Sequence, residues 1–113
     1  MPPLNTLTRS CLAVAIGQAV LIPVQAATIT VDSYLDNNGT GCTLREAITQ
    51  ANNTATLSNG CVSGSVGTDT IMFSNSLASN TIALSGSELS ISGKDIEINA
   101  SNISGGITVD ANN

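Results

Sequence analysis

The sequence predicts a mainly β chain, built as the first coils of a parallel β-helix with one short capping α-helix ahead of them. Three observations carry this expectation. Apolar residues recur with period two in short runs rich in Ser and Thr, those runs repeat at a fixed interval, and a single amphipathic segment with a complete helix-start signature lies near the beginning.

The period-two pairs are Ile29 and Val31, Ile71 and Phe73, Ile82 and Leu84, Leu89 and Ile91, Ile96 and Ile98, and Ile107 and Val109. Successive side chains on a strand point to opposite faces, so each pair marks a short strand with one buried face. Ile71 to Ile96, Phe73 to Ile98, Ile82 to Ile107 and Leu84 to Val109 are each separated by 25 positions. An interval in the twenties with three strands in it suits a coil that stacks its inward Ile or Leu on the next coil. The competing arrangement is an antiparallel sandwich of the same strands. Between Phe73 and Val109 no Asn-Gly or Asp-Gly pair supplies the two-residue hairpin turn that a sandwich favours.

The helix is expected over residues 43–52. Thr43 is a good N-cap and Glu46 completes a T-x-x-E capping box. Leu44, Ala47, Ile48 and Ala51 then share one face, and Asn52-Asn53 ends the segment. A β-helix begins with an open column of aliphatic side chains and unpaired strand groups, and an amphipathic helix placed there covers them.

The remaining composition bounds the chain. With 113 residues, one Phe, one Tyr and no Trp, it supports one small aliphatic core. Residues 1–26 read as a secretory signal: Arg9 gives a weakly positive start, residues 11–22 are apolar but too short to span a bilayer, and Val24-Gln25-Ala26 places small residues where a signal peptidase cuts. Cleavage after Ala26 leaves 27–67 as the cap, with a strand, the helix and a disulfide loop, and 68–113 as the first coils. Cys11 lacks the apolar and small residues that precede a lipidated Cys. The exported part keeps Cys42 and Cys61, and an even pair in an exported chain predicts a disulfide between them.

Residues 27–113 carry eight acidic and two basic side chains, Arg45 and Lys94, for a formal charge of −6. This excludes an electrostatic footprint for nucleic acid. The chain has no His, and its two exported Cys lack close ligand spacing, so no metal or other cofactor is expected.

Cys42-Thr43-Leu44-Arg45-Glu46-Ala47-Ile48 resembles the CSLREA motif at the N-terminus of exported bacterial right-handed parallel β-helix proteins, with Thr43 where that family has Ser. Ala51-Asn52, Gly60-Cys61, Thr68-Asp69-Thr70-Ile71, Thr81-Ile82, Glu88-Leu89 and Ile107-Thr108-Val109-Asp110 follow in the family's order. The resemblance implies a secreted or cell-surface protein of the adhesin-like and polymorphic outer-membrane-protein group. Such proteins usually continue for many coils, so the chain is expected to be an N-terminal fragment or a truncated product, with an open last strand prone to self-association.

A glycosidase needs two carboxyl groups roughly 5 to 9.5 Å apart. The 25-residue interval places Glu97 beside Met72, Asp95 beside Thr70 and Asp110 beside Ser85, so no two carboxylates stack. A lyase needs a base and a means of holding a uronate, and Lys94, the only lysine, has no evident partner in the sequence. Arg45 and Glu46 adjoin, but Glu46 is already assigned as reciprocal cap and Arg45 is expected to pair with a carboxylate or carbonyl at the cap edge. Asp36-Asn37-Asn38-Gly39-Thr40-Gly41 resembles a cation loop in composition, yet the twelfth position counted from Asp36 is Ala47, which cannot supply a bidentate carboxylate.

The expected function is therefore structural and adhesive, without catalysis in this segment. Contacts with glycans or cell-surface proteins are expected through later coils, and no membrane-spanning segment after signal cleavage. The alternative is the N-terminal part of a β-helix polysaccharide lyase or glycoside hydrolase whose catalytic residues lie beyond Asn113.

Overall fold

The computed structural model describes residues 25–36, 40–53, 60–92 and 94–112. The expected signal segment, up to residue 24, and the middle of the Asp36–Gly41 loop lie outside the described residues.

Strand β1, Thr28–Val31, buries Ile29 and Val31 and exposes its two Thr, as the alternation requires. Helix α1, Leu44–Asn52, follows Thr43 as N-cap. Strand β2, Asp69–Phe73, buries Asp69, Ile71 and Phe73 and leads into a 3-10 turn, Asn75–Leu77, that Ser74 caps and whose Leu77 is buried. Strands β3, Thr81–Ala83, β4, Ile96–Asn99, and β5, Thr108–Asp110, complete the elements.

These strands form two small sheets, β1-β2-β4 and β3-β5, and every pairing is parallel. The antiparallel sandwich is thereby excluded for the described strands. The register corrects the sequence interval. Ile71 faces Ile98 and Ile82 faces Val109, an offset of 27 instead of 25. A slip of two residues keeps every side chain on its face, so apolar alternation alone does not distinguish the two registers. Consequently Glu97 lies beside Thr70, not Met72, and Asp110 beside Ala83, not Ser85.

The expected β-helix is a larger correction. Right-handed coils with three strands per turn would need Leu89 and Ile91 on a third strand, but residues 88–92 form none, and Ile91 is 49% exposed. Their backbone finds partners on α1 instead. Asn52 donates from Nδ2 to the Ser90 carbonyl (2.9 Å) and accepts the Ser92 amide at Oδ1 (3.0 Å). Arg45 donates from Nη2 to the Ser87 carbonyl (2.7 Å) and from Nη1 to that of Glu88 (3.0 Å). A segment hydrogen-bonded to side chains of a helix has no ladder to join, and no closed coil forms among the described residues. The result is two small parallel sheets and one helix around a shared aliphatic core.

That core joins Ile29, Val31, Ile71 and Phe73 of the first sheet to Ile82 of the second, with Leu77 and Ile103 from the connections. Leu44, Ala47, Ile48 and Ala51 of α1 belong to it, and the helix packs on β1 and β2. Full burial of one Leu or Ile side chain contributes roughly 1.5–3 kcal/mol. The apolar face of α1, rather than helix propensity, therefore fixes the position of this nine-residue helix.

Candidate functional site

The densest polar chemistry gathers around the ends of α1. At its start Thr43 Oγ1 accepts the Glu46 amide (3.2 Å) while Glu46 Oε2 accepts the Thr43 amide (3.1 Å), a reciprocal capping box. The preceding residue is held twice: Cys42 is bonded to Cys61, and its amide donates to Asp32 Oδ1 (2.6 Å). Gly41 makes this approach possible, since its φ of +98° suits glycine and a Cβ there would run into the Asp32 carboxylate. Of the motif residues, Thr43, Leu44, Ala47 and Ile48 are buried, whereas Arg45 and Glu46 are half-buried.

Arg45 reaches outward to Asp36. Its Nε and Nη2 donate to the two carboxylate oxygens at 2.9 and 3.1 Å, a bidentate pair, and Asp36 also accepts the amide (2.8 Å) and hydroxyl (3.2 Å) of Ser85. One buried carboxylate thus ties the loop after β1, the helix and the chain leaving β3. Burial pushes the Asp36 carboxyl up, but the Arg45 guanidinium and the two Ser85 donors outweigh it and hold the group below the ordinary carboxylate range.

A second buried carboxylate was not legible as a site. Asp69 is fully buried and accepts the Ala27 amide (3.0 Å), the Ser65 amide (3.0 Å) and hydroxyl (2.5 Å), and Lys94 Nζ (3.2 Å). Lys94 also donates to the Ser65 carbonyl. Burial raises this carboxyl too, and the donors of Ser65, Ala27 and Lys94 together carry it below its usual value. In the ladder Asp69 faces Ile96, two residues beyond Lys94, so no sequence interval marks this pair.

Both carboxyls are depressed, so the stability they contribute is complete above the unfolded value of about 4 and is lost as pH falls through their folded values. Denaturant midpoints measured from pH 7 to pH 2 are expected to stay level to about pH 5 and to fall steeply below about pH 4. A midpoint unchanged to pH 2 would contradict the two buried pairs.

The arrangement ties segments of the chain together. Among the described residues every buried side-chain nitrogen or oxygen has a partner, and no three His, Cys, Asp or Glu side chains come together as metal ligands. The groove between α1 and residues 88–92 is lined by Arg45, Thr49, Asn52 and Leu89, with Arg45 and Asn52 already engaged in the bonds above. No described helix is long and apolar enough to cross a membrane. Compared with protein-family models, with characterised proteins and with solved structures, the chain matches none.

Proposed function

We propose that this chain is a structural and adhesive segment of a secreted or cell-surface protein, without catalysis of its own, and that it works by self-association through strand edges. The CSLREA-like motif, the cysteine pair and the signal-like start support the exported reading. The observation that carries the contact is a contrast within each register pair. Ile71 is 0% exposed and its partner Ile98 46%, while Ile82 is 0% exposed and its partner Val109 44%. Helix α1 packs on β1 and β2, and among the described residues β4 and β5 end their sheets with no helix packed on them.

A second copy is the occupant that this edge fits. An edge strand presents alternating N–H and C=O groups that complement the same strand of a two-fold mate in antiparallel pairing. Burying Ile98 and Val109 against their counterparts removes apolar surface from water in the same step. Glu97 and Asp110 sit on these strands and are exposed, so two copies also bring like charges together.

Sedimentation velocity tests this reading. Association is expected to rise with protein concentration and to strengthen between about 0.05 and 0.5 M salt, as screening weakens the repulsion. The double variant Ile98→Lys, Val109→Lys is expected to stay monomeric with its melting temperature nearly unchanged, because both side chains are already exposed. A wild-type chain that is monomeric at every concentration and salt would overturn the proposal.

A further inference from the structure

The fully buried Asp69 takes one of its hydrogen bonds from the backbone nitrogen of Ala27, 3.0 Å from Oδ1. That nitrogen is also the atom that cleavage after Ala26 would release. We infer that processing turns the Ala27 nitrogen into an anchor: once the Ala26–Ala27 peptide bond is hydrolysed, the new α-ammonium of Ala27 forms an ion pair with Asp69. The inference rests on the signal-peptide reading of residues 1–26.

The step is a peptide hydrolysis by an endopeptidase of the signal-peptidase class. Water adds across the C–N bond; Ala26 keeps the oxygen as a carboxylate, and the Ala27 nitrogen gains hydrogen and is protonated from solvent. Two contacts then determine where the amine goes. The Ala27 carbonyl accepts the Thr70 amide (2.9 Å), a bond to β2 that does not depend on residues 25 and 26. The bonds that are lost belong to Gln25, whose carbonyl accepts the Gly67 amide (3.0 Å) and the Ser65 hydroxyl (2.7 Å). Gln25 and Ala26 are exposed, so their departure uncovers no core. The amine therefore stays beside a carboxylate already arranged to accept a donor at that point, and charge replaces a neutral amide there.

Asp69 then faces two cations, Lys94 from the chain before β4 and the Ala27 ammonium, with Ser65 supplying neutral donors. The other charged groups on that stretch, Asp95 and Glu97, are exposed. An α-amine titrates near 7.7–8.0 when free, and pairing with a buried carboxylate raises that value. The stability contributed by the pair is complete below about pH 7.5 and is lost as pH rises through the raised value.

The test compares two forms of the exported chain. One is secreted from the full 113-residue precursor, its N-terminus read by intact mass; the other retains Gln25 and Ala26 behind a different leader. With the N-terminus at Ala27, the melting temperature of the processed form is expected to fall by roughly 5 °C more than that of the extended form between pH 7 and 9.5. Asp69→Asn in the processed form is expected to abolish that difference. Parallel pH profiles with Ala27 at the N-terminus would overturn the anchoring by Asp69 alone. An N-terminus elsewhere would overturn the cleavage reading and the inference with it.

Discussion

Leu44→Asp or Ile48→Asp is expected to lower stability by roughly 4 kcal/mol, enough to unfold most of a small marginal domain at 37 °C. Leu44 is 2% exposed and Ile48 3%, and both point from α1 into the core formed with β1 and β2. Two losses add: the burial of one large aliphatic side chain, and the cost of placing a carboxylate where no donor awaits it. Thr49 provides the control. It lies on the exposed face of the same helix, so Thr49→Asp is expected to change stability by less than about 1 kcal/mol. Urea denaturation of the three variants decides the matter, and equal midpoints for Ile48→Asp and Thr49→Asp would mean that α1 does not seal the core.

Removal of the Cys42–Cys61 bond is expected to cost roughly 3 kcal/mol by the chain-entropy argument, given its sequence separation of 19. The bond joins the residue before the helix cap to the chain that leads towards β2. Without it, the capping box must order its own approach. The double variant Cys42→Ala, Cys61→Ala isolates the crosslink better than a single change, which would leave one thiol unpaired in the core. Peptide mapping without reductant comes first; the denaturation curve is then compared with and without reductant. Free thiols on both residues, or a curve indifferent to reductant, would remove the staple from the account of this fold.

What was legible in the sequence divides along physical lines. The strands at Ile29 and Val31 and at Ile71 and Phe73 were legible because strict alternation is a local signal with one geometric meaning. Helix α1 was legible for the same reason, since cap, box and apolar face all lie within ten residues. Leu89 and Ile91 carry the same alternation yet form no strand. A strand exists only with a ladder partner, and Arg45 and Asn52, some 40 positions away, claim that backbone first.

Register failed for a related reason. Ile96 and Ile98 are both apolar and two apart, so either satisfies Ile71, and the choice depends on three-dimensional packing. The polar ties divide similarly. Arg45 at the cap edge was expected to meet a carboxylate or carbonyl because its neighbours define that edge. Lys94 shows no partner in the sequence, because one Lys among scattered acidic residues forms no pattern until folding brings it to Asp69.

Every pairing among the described strands is parallel, and each joins residues at least 27 positions apart, with 42 separating Thr28 from Thr70. No hairpin among the described strands offers a quick first ladder. The chain must close long loops, at an entropic cost, before its first interstrand bond forms, so its folding is expected to be slow beside that of a hairpin-rich chain of similar size. Helix α1 forms from neighbouring residues, but it can dock only after that search has brought β1 and β2 together.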